Sequence, residues 1–213
     1  MKKLESNFVN MAVSLLLIAA AAAALLAWVH EVTRVPIEKI NAQTLSDGIR
    51  SVIVGDRPVE FEVESQVGSD GYTFYRAVGR DGQLLGTAVR SETEGFGGTL
   101  TVLTGFDPDG NILGYEVLEH SETPGLGAQV NTWFKQLSGG DSDSQSALGM
   151  VILGRDEPAG NHNIVGMNPG RDDMTVSKDG GQVDAITAST ITSRAFLLAV
   201  RNAYSAYMAT NNK

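Results

Sequence analysis

The chain has 213 residues, of which 42% are hydrophobic and 19% charged, a composition that excludes a wholly disordered protein. Its formal net charge of −9 argues against nucleic acid as a partner. The sequence contains no cysteine, which excludes disulfides, cysteine-ligated iron–sulfur clusters and thiol catalysis within it, and its three histidines lack the spacing of a zinc site.

An uncharged segment near the start, residues 8–29, is long enough to span a membrane. It reads FVNMAVSLLLIAAAAAALLAWV, and about 20 apolar residues cross a bilayer core as a helix. The apolar region of a cleavable signal peptide is shorter, about 7–15 residues. Cleavage within the alanine run is the alternative, although no clean Ala-x-Ala boundary precedes a polar start. Lys2 and Lys3 precede the segment, so the positive-inside rule predicts a cytoplasmic N-terminus, residues 1–7.

Two hairpins follow the anchor. Residues 30–45 predict a linker that becomes an amphipathic helix from Ile37 onward, and residues 46–66 give no clear pattern. Apolar and β-branched runs around an Arg-Asp-Gly turn and an Asp-Pro-Asp-Gly turn then predict four strands, at 72–78, 84–90, 99–106 and 112–119. We therefore expect an α+β fold, an antiparallel sheet with packed helices, in a domain of residues 46–213 outside the inner membrane, on its periplasmic side.

The last part of the chain predicts two helices with short strands between them. The first helix covers 128–137, with Trp133 and Phe134 in the core, and short strands are expected at 150–153 and 174–177, separated by loops. The final helix runs from Thr190 to about Met208, because its apolar residues recur at spacings of three and four. The hydroxyl residues of segment 187–193 crowd its N-terminus, where they can cap the helix or border a bound phosphate.

A hexapeptide after the second hairpin, Glu122–Gly127, reads ETPGLG. Its proline cannot continue a strand ladder, and its two glycines allow the backbone to turn sharply and approach a flat ligand. On these residues alone an ordinary turn into the following helix is the favoured interpretation. Neither GxGxxG after a strand nor GxxxxGK[ST] occurs, so the common nucleotide-binding loops are absent.

The two segments together resemble the FMN-binding domain family of the Rnf and Nqr respiratory complexes. Segment Glu122–Gly127 matches the family's ETPGLG signature, and Asp184-Ala-Ile-Thr-Ala-Ser-Thr190 resembles its flavinylation motif, Asp-x-x-Ser/Thr-Gly-Ala-Thr. The departures are Ala188 for the usual Gly and Ser189 for the usual Ala. The resemblance favours the family of G subunits of Rnf complexes, and the usually longer C subunits of Nqr complexes are the alternative.

The resemblance implies FMN bound covalently through a phosphoester to Thr190, attached outside the cytoplasm by a flavin transferase that uses FAD as donor. Ser189 offers a second hydroxyl beside it. Lys178 is either a positive charge near the phosphate or ring, or a solvated turn residue. No catalytic or metal-binding residue is expected. The full set of expected cofactor-binding residues is Thr190, Thr187, Ser189, Asp184, Glu122, Thr123, Gly125, Leu126, Gly127 and Lys178.

The function that the resemblance implies is electron transfer. The chain would be a subunit of an ion-translocating ferredoxin:NAD oxidoreductase complex in the inner membrane, with other membrane and peripheral subunits as partners, and not a self-contained catalyst. Alternatives are the C subunit of an Nqr complex, an anchored scaffold without a redox group, and a hydrolase with Ser189 or Ser193 as nucleophile. The last needs a base, and neither serine lies in a GxSxG elbow.

Overall fold

The computed structural model describes residues 8–55, 57–68, 71–135 and 161–211. The first element, α1, spans Phe8–Ile53 without interruption, and Pro36 lies inside it. Within the described residues it is the one helix that is long and apolar enough to cross a membrane. The chain divides after Leu45 into two compact units. The side chains of the apolar stretch in the first unit are exposed, Leu16 and Ile18 each by 68%.

The second unit is built on one antiparallel sheet whose five strands are in chain order. They are β1 (Phe61–Val67), β2 (Thr73–Gly79), β3 (Leu84–Glu94), β4 (Thr99–Phe106) and β5 (Ile112–Glu119). The two predicted hairpins are thus confirmed, as is the α+β class. Strand β1 is not among the predicted strands. Its apolar Phe61, Val63 and Val67 alternate with polar residues, but six of its seven side chains are exposed, so this alternation does not mark a face packed on the core.

One face of the sheet packs against the last helix, here α3 (Thr190–Asn211), which confirms the predicted C-terminal helix. Aromatic rings form the centre of this contact. Phe106 stacks on Tyr207 with 5.3 Å between centroids, and Phe196 meets Tyr115 edge-on and Phe134 face-on, both at 4.6 Å. All five side chains are buried, so this layer is the hydrophobic core of the unit.

The other face of the sheet carries the end of α1. Ile49, Val52 and Ile53 are buried there, with at most 3% of their surface exposed. The helix backbone comes close because the strands present glycines beneath it. A Cβ on Gly105 would be 3.0 Å from the carbonyl carbon of Val52, and one on Gly114 would be 3.2 Å from its oxygen. Glycine in β4 and β5 thus permits this close packing.

The connecting segments differ in part from the prediction. The helix expected at 128–137 is a 3₁₀ turn, Gly127–Gln129, followed by the short α2, Val130–Trp133. Phe134 is buried and Trp133 partly buried, as expected. The strand expected at 174–177 is a single parallel bridge between Val176 and Val183, and the 3₁₀ turn Ser177–Asp179 follows. The strand expected at 150–153 lies outside the described residues.

Candidate functional site

The Glu122 side chain joins three segments that meet at one end of the sheet. It is buried, with 6% of its surface exposed. Its Oε1 accepts hydrogen bonds from the backbone N–H of Phe96 at 2.8 Å and Gly97 at 3.3 Å. Its Oε2 accepts one from Thr192 Oγ1 at 2.8 Å. The carboxyl group therefore connects the β3–β4 loop, the segment after β5 and the first turn of α3.

The two glycines of segment Glu122–Gly127 are needed for different reasons. Gly125 has φ +76°, a left-handed backbone that favours glycine. Gly127 lies so close to Glu122 and Thr192 that an added Cβ would be 2.9 Å from Thr192 Oγ1 and would clash with Glu122 Oε2. Leu126 N and Ala128 N both donate to the carbonyl of Thr123, at 3.1 and 3.2 Å, and close the turn.

The hydroxyl cluster forms the N-terminus of α3. Ser193 Oγ accepts from Ile186 N and donates to the carbonyl of Ser189, each at 3.0 Å. Ser189 Oγ is 3.0 Å from Thr192 Oγ1, and both side chains are buried. Ala188 precedes them with φ +59°, in the left-handed region. Most of the cluster therefore serves to cap and hold the helix start.

Thr190, the first residue of α3, is only half-buried. Lys178 Nζ donates to its Oγ1 at 3.1 Å. The turn that carries Lys178 is held against α3 by a two-point ion pair, in which Arg194 Nε and Nη2 each lie 2.6 Å from a carboxyl oxygen of Asp179. Hydrogen bonds from Arg194 lower the pKa of the Asp179 carboxyl below its ordinary value. A positive charge is thus held beside the Thr190 hydroxyl.

A pocket of about 400 Å³ lies where these segments meet. Three of its apolar side chains remain largely exposed, Phe96 by 68%, Ile191 by 52% and Leu126 by 43%. At its helix end are Thr190, with Lys178 beside it, and the first N–H groups of α3, which have no acceptor in their own helix. The apolar side chains suit a flat aromatic ring and the helix end suits a phosphate, so the residues fit FMN.

The structure brings most of the expected site residues to this pocket. Its walls include Glu122, Thr123, Leu126, Gly127, Ser189 and Thr190, and Lys178 contacts Thr190. Gly125, Asp184 and Thr187 do not line it. Asp184 is fixed through its backbone, whose N–H donates to the Asn161 carbonyl at 3.0 Å and whose carbonyl accepts from Trp133 Nε1 at 3.1 Å. Thr187 is exposed.

Four further residues line the pocket that were not among the expected cofactor-binding residues: Phe96, Ala188, Ile191 and Thr192. Ile191 and Thr192 lie directly after Thr190 in the sequence. Phe96 had a detectable signal, because it is a large apolar residue within the glycine-rich stretch Gly95-Phe-Gly-Gly98 of a loop. Such a residue has no helix or strand to bury it, which is consistent with contact to a ligand.

Comparison with known proteins finds relatives over most of the chain. The G subunit of the ion-translocating oxidoreductase complex of Methanosarcina acetivorans is 29% identical over 195 residues, covering 90% of this chain and 89% of that protein. Proteins of the same name from Vibrio vulnificus and Vibrio cholerae are 33% and 38% identical over 144 and 127 residues. These alignments cover 65% and 58% of this chain but only 57% and 50% of the Vibrio proteins. The relatives confirm the resemblance to the family of G subunits.

Among solved structures, the C subunit of the Na(+)-translocating NADH-quinone reductase from Parabacteroides distasonis aligns with a TM-score of 0.37. It is 25% identical, and the alignment covers 64% of this chain and 61% of that one.

The family model described as the FMN-binding domain matches residues 95–205, slightly more than half of the 213 residues. The matched region contains segment Glu122–Gly127, Lys178 and Thr190, and so includes the whole pocket described above. This chain belongs to the FMN-binding domain family.

Proposed function

We propose that this chain is an electron-carrying subunit of a membrane-bound, ion-translocating oxidoreductase complex and carries FMN as a phosphoester on Thr190. The names of the relatives support the complex, and the family supports FMN. The observation that carries the attachment site is the position of the Thr190 hydroxyl, which is half-buried at the edge of a ring-sized pocket and 3.1 Å from the Lys178 ammonium.

Each part of the pocket has a role in this proposal. Lys178 and the N-terminus of α3 balance the negative charge of a phosphate next to Thr190. Phe96, Leu126 and Ile191 cover a flat ring and keep water from it. Glu122 holds the loops that carry Phe96 and Leu126 in register with α3. FMN, when bound, supplies one-electron transfer, which the side chains of this cysteine-free chain do not supply as readily.

The proposed arrangement in the membrane follows the charge pattern. Residues 1–7 are cytoplasmic, 8–29 span the inner membrane, 30–45 link to the domain, and 46–213 lie outside the cytoplasm. In this arrangement a flavin transferase attaches FMN from FAD on the outer side, and the other subunits of the complex exchange electrons with it. The C subunit of an Na⁺-translocating NADH:quinone reductase and a non-redox scaffold are the alternative functions.

The attachment is tested by producing the full chain together with a flavin transferase and viewing a denaturing gel under ultraviolet light. We expect a fluorescent band that persists after denaturation, because a phosphoester survives loss of the fold. Thr190→Ala should remove the fluorescence. The matched control is Thr132→Ala, which changes another threonine, an exposed one that lies outside the pocket.

Two results would contradict the proposal. A dark band for the unchanged chain, with transferase and FAD present, would leave the scaffold as the better explanation. A band that stays bright in Thr190→Ala would assign the attachment to another residue.

A further inference from the structure

Two adjacent residues that carry hydroxyl groups, Ser189 and Thr190, both contribute to the pocket lining. The choice between them is therefore not settled by position at the pocket or by the helix dipole, because both residues lie at the pocket and at the start of the helix. A second acceptor would place the cofactor differently, because successive residues at a helix start point in directions about 100° apart. Something in the chain must restrict attachment to one of them.

The hydrogen bonds of Thr192 provide that restriction. Thr192 is fully buried, and its single hydroxyl proton is donated to Glu122 Oε2 at 2.8 Å. Thr192 Oγ1 also lies 3.0 Å from Ser189 Oγ. Since the proton of Thr192 is already used, the proton in this second contact must come from Ser189. The direction of the hydrogen-bond chain is then fixed as Ser189 to Thr192 to Glu122.

This arrangement turns the Ser189 hydroxyl inward. Its proton is bound to Thr192, and only 9% of the residue is exposed. Glu122 is itself fixed by the backbone N–H groups of Phe96 and Gly97, so the far end of the hydrogen-bond chain cannot shift easily. Releasing Ser189 would leave a buried Thr192 oxygen without its donor, which is unfavourable.

Thr190 is in the opposite situation. Its side chain is half-buried, and in the contacts among the described residues its Oγ1 accepts a hydrogen bond from Lys178 while its own proton is not donated. An incoming phosphorus atom can therefore reach this oxygen, next to a positive charge. We infer that Thr192 is the residue that selects Thr190 as the attachment site, by holding the competing Ser189 hydroxyl away from the pocket.

This inference rests on the proposed function, in which the two hydroxyls compete in one reaction. The oxygen of the acceptor forms a bond to the FMN phosphorus of FAD, the bond from that phosphorus to the AMP oxygen breaks, and AMP leaves. The hydroxyl proton passes to solvent. No change of oxidation state is involved. Only a hydroxyl that the phosphorus can reach can align with the leaving group.

Peptide mass spectrometry after reaction with transferase and FAD shows directly which of the two hydroxyls carries FMN. We expect FMN on Thr190 alone in the unchanged chain. In Thr190→Ala, Ser189 should remain almost unmodified. In Thr190→Ala with Thr192→Val, modification of Ser189 should rise by about tenfold, the effect of losing one hydrogen bond of about 1.4 kcal/mol. Thr192→Ser, which keeps the hydroxyl, should behave like the unchanged chain when Thr190 is present and like Thr190→Ala when it is not.

Accessibility of the two positions can be measured without any flavin. Because the chain has no cysteine, Ser189→Cys and Thr190→Cys each introduce a single thiol. We expect the thiol at 190 to react with a maleimide about tenfold faster than the thiol at 189, and Thr192→Val or Thr192→Ala to speed the reaction at 189. A thermal melt by circular dichroism confirms that each variant is folded. The thiols at 189 and 190 are compared in chains that keep Thr192. This comparison can therefore be made even if the Thr192 variants do not fold.

The outcomes separate this inference from the proposed function. If the unchanged chain takes no FMN, the proposed attachment fails, and the maleimide rates still test whether Thr192 shields position 189. If FMN is on Thr190 but Thr190→Ala moves it fully to Ser189, Thr192 does not select the site. Equal maleimide rates at 189 and 190, or no increase at position 189 in folded Thr192→Val, also overturn the inference.

Discussion

Ala188 lies in the turn just before Thr190, and its backbone φ is +59°. It is the one described non-glycine residue with positive φ, a region in which a Cβ crowds the following carbonyl oxygen. The FMN-binding motif that this segment resembles usually has glycine here. The chain thus accepts a strained backbone at the position that directs Ser189 and Thr190.

Replacing Ala188 by glycine should remove this strain. We expect Ala188→Gly to raise the free energy of unfolding by about 1 kcal/mol, because glycine adopts positive φ without a steric penalty. The exposed Ala188 methyl contributes little burial to offset that gain. Urea unfolding followed by circular dichroism measures the change. Ala185→Gly, in the same segment but without positive φ, is the control and should lower stability by up to about 1 kcal/mol. A loss of stability in Ala188→Gly would show that the backbone at Ala188 is not strained.

The position of Glu122 illustrates what sequence alone leaves open at this scale. Its place in the ETPGLG segment predicts a site residue, and the structure does put it in the pocket wall. The resemblance implied that Glu122 is a cofactor-binding residue. In the structure its two oxygens already accept from Phe96 N, Gly97 N and Thr192 Oγ1. Those partners are 26, 25 and 70 positions away in sequence, so no local pattern reveals them.

At the scale of elements, α1 and the sheet meet through glycines. Gly105 in β4 and Gly114 in β5 both lie beneath Val52, and a Cβ at either position would meet the Val52 backbone. A main-chain atom cannot rotate away as a side chain can. The fit between the helix end and the sheet therefore depends on these residues having no side chain.

Gly105→Ala should separate the end of α1 from the sheet. We expect the free energy of unfolding to fall by about 2 kcal/mol, the usual effect of overpacking in a buried layer. Gly79→Ala is the matched control in β2, because its Cβ would have 3.5 Å to the nearest atom, an ordinary contact, and stability should change by less than about 0.5 kcal/mol. Chemical unfolding of both variants gives the comparison. Equal stability of Gly105→Ala and the unchanged chain would mean that the helix end is not tightly packed.

The elements that the sequence predicts well are those in which apolar residues recur at a regular spacing and turn or capping residues mark the ends. Strands β2 to β5 and α3 have both, and all five are confirmed. Strand β1 was missed although its apolar residues alternate with polar ones. It pairs with β2 along one edge and exposes most of its side chains, so no buried face accompanies the alternation. The strand expected at 174–177 fails for the opposite reason. Its apolar Met174 and Val176 are buried in the hydrophobic core, but among the described residues its backbone pairs through a single bridge.

At the scale of the whole molecule, the proposal depends on which side of the membrane holds the domain. An FMN site assembled from three loops and a helix end needs a folded domain, and the proposed attachment takes place outside the cytoplasm. The sequence evidence for this orientation is the pair Lys2 and Lys3 before an uncharged segment of 22 residues, positions 8–29. Orientation is therefore the property of the entire chain that most needs a direct test.

Single cysteines can report this orientation, because the chain has none of its own. Ser6→Cys places a thiol before the apolar segment, and Asp81→Cys places one in the exposed turn between β2 and β3. In spheroplasts, which have lost the outer membrane and cell wall but keep a sealed inner membrane, a maleimide that cannot cross the inner membrane should label Asp81→Cys at once. It should label Ser6→Cys only after the membrane is opened with detergent. Charge reversal at Lys2 and Lys3 should weaken this difference, since the bias in positive charge sets the orientation. Labelling of Ser6→Cys, but not Asp81→Cys, in unopened cells would place the domain in the cytoplasm and contradict attachment of FMN on the outer side.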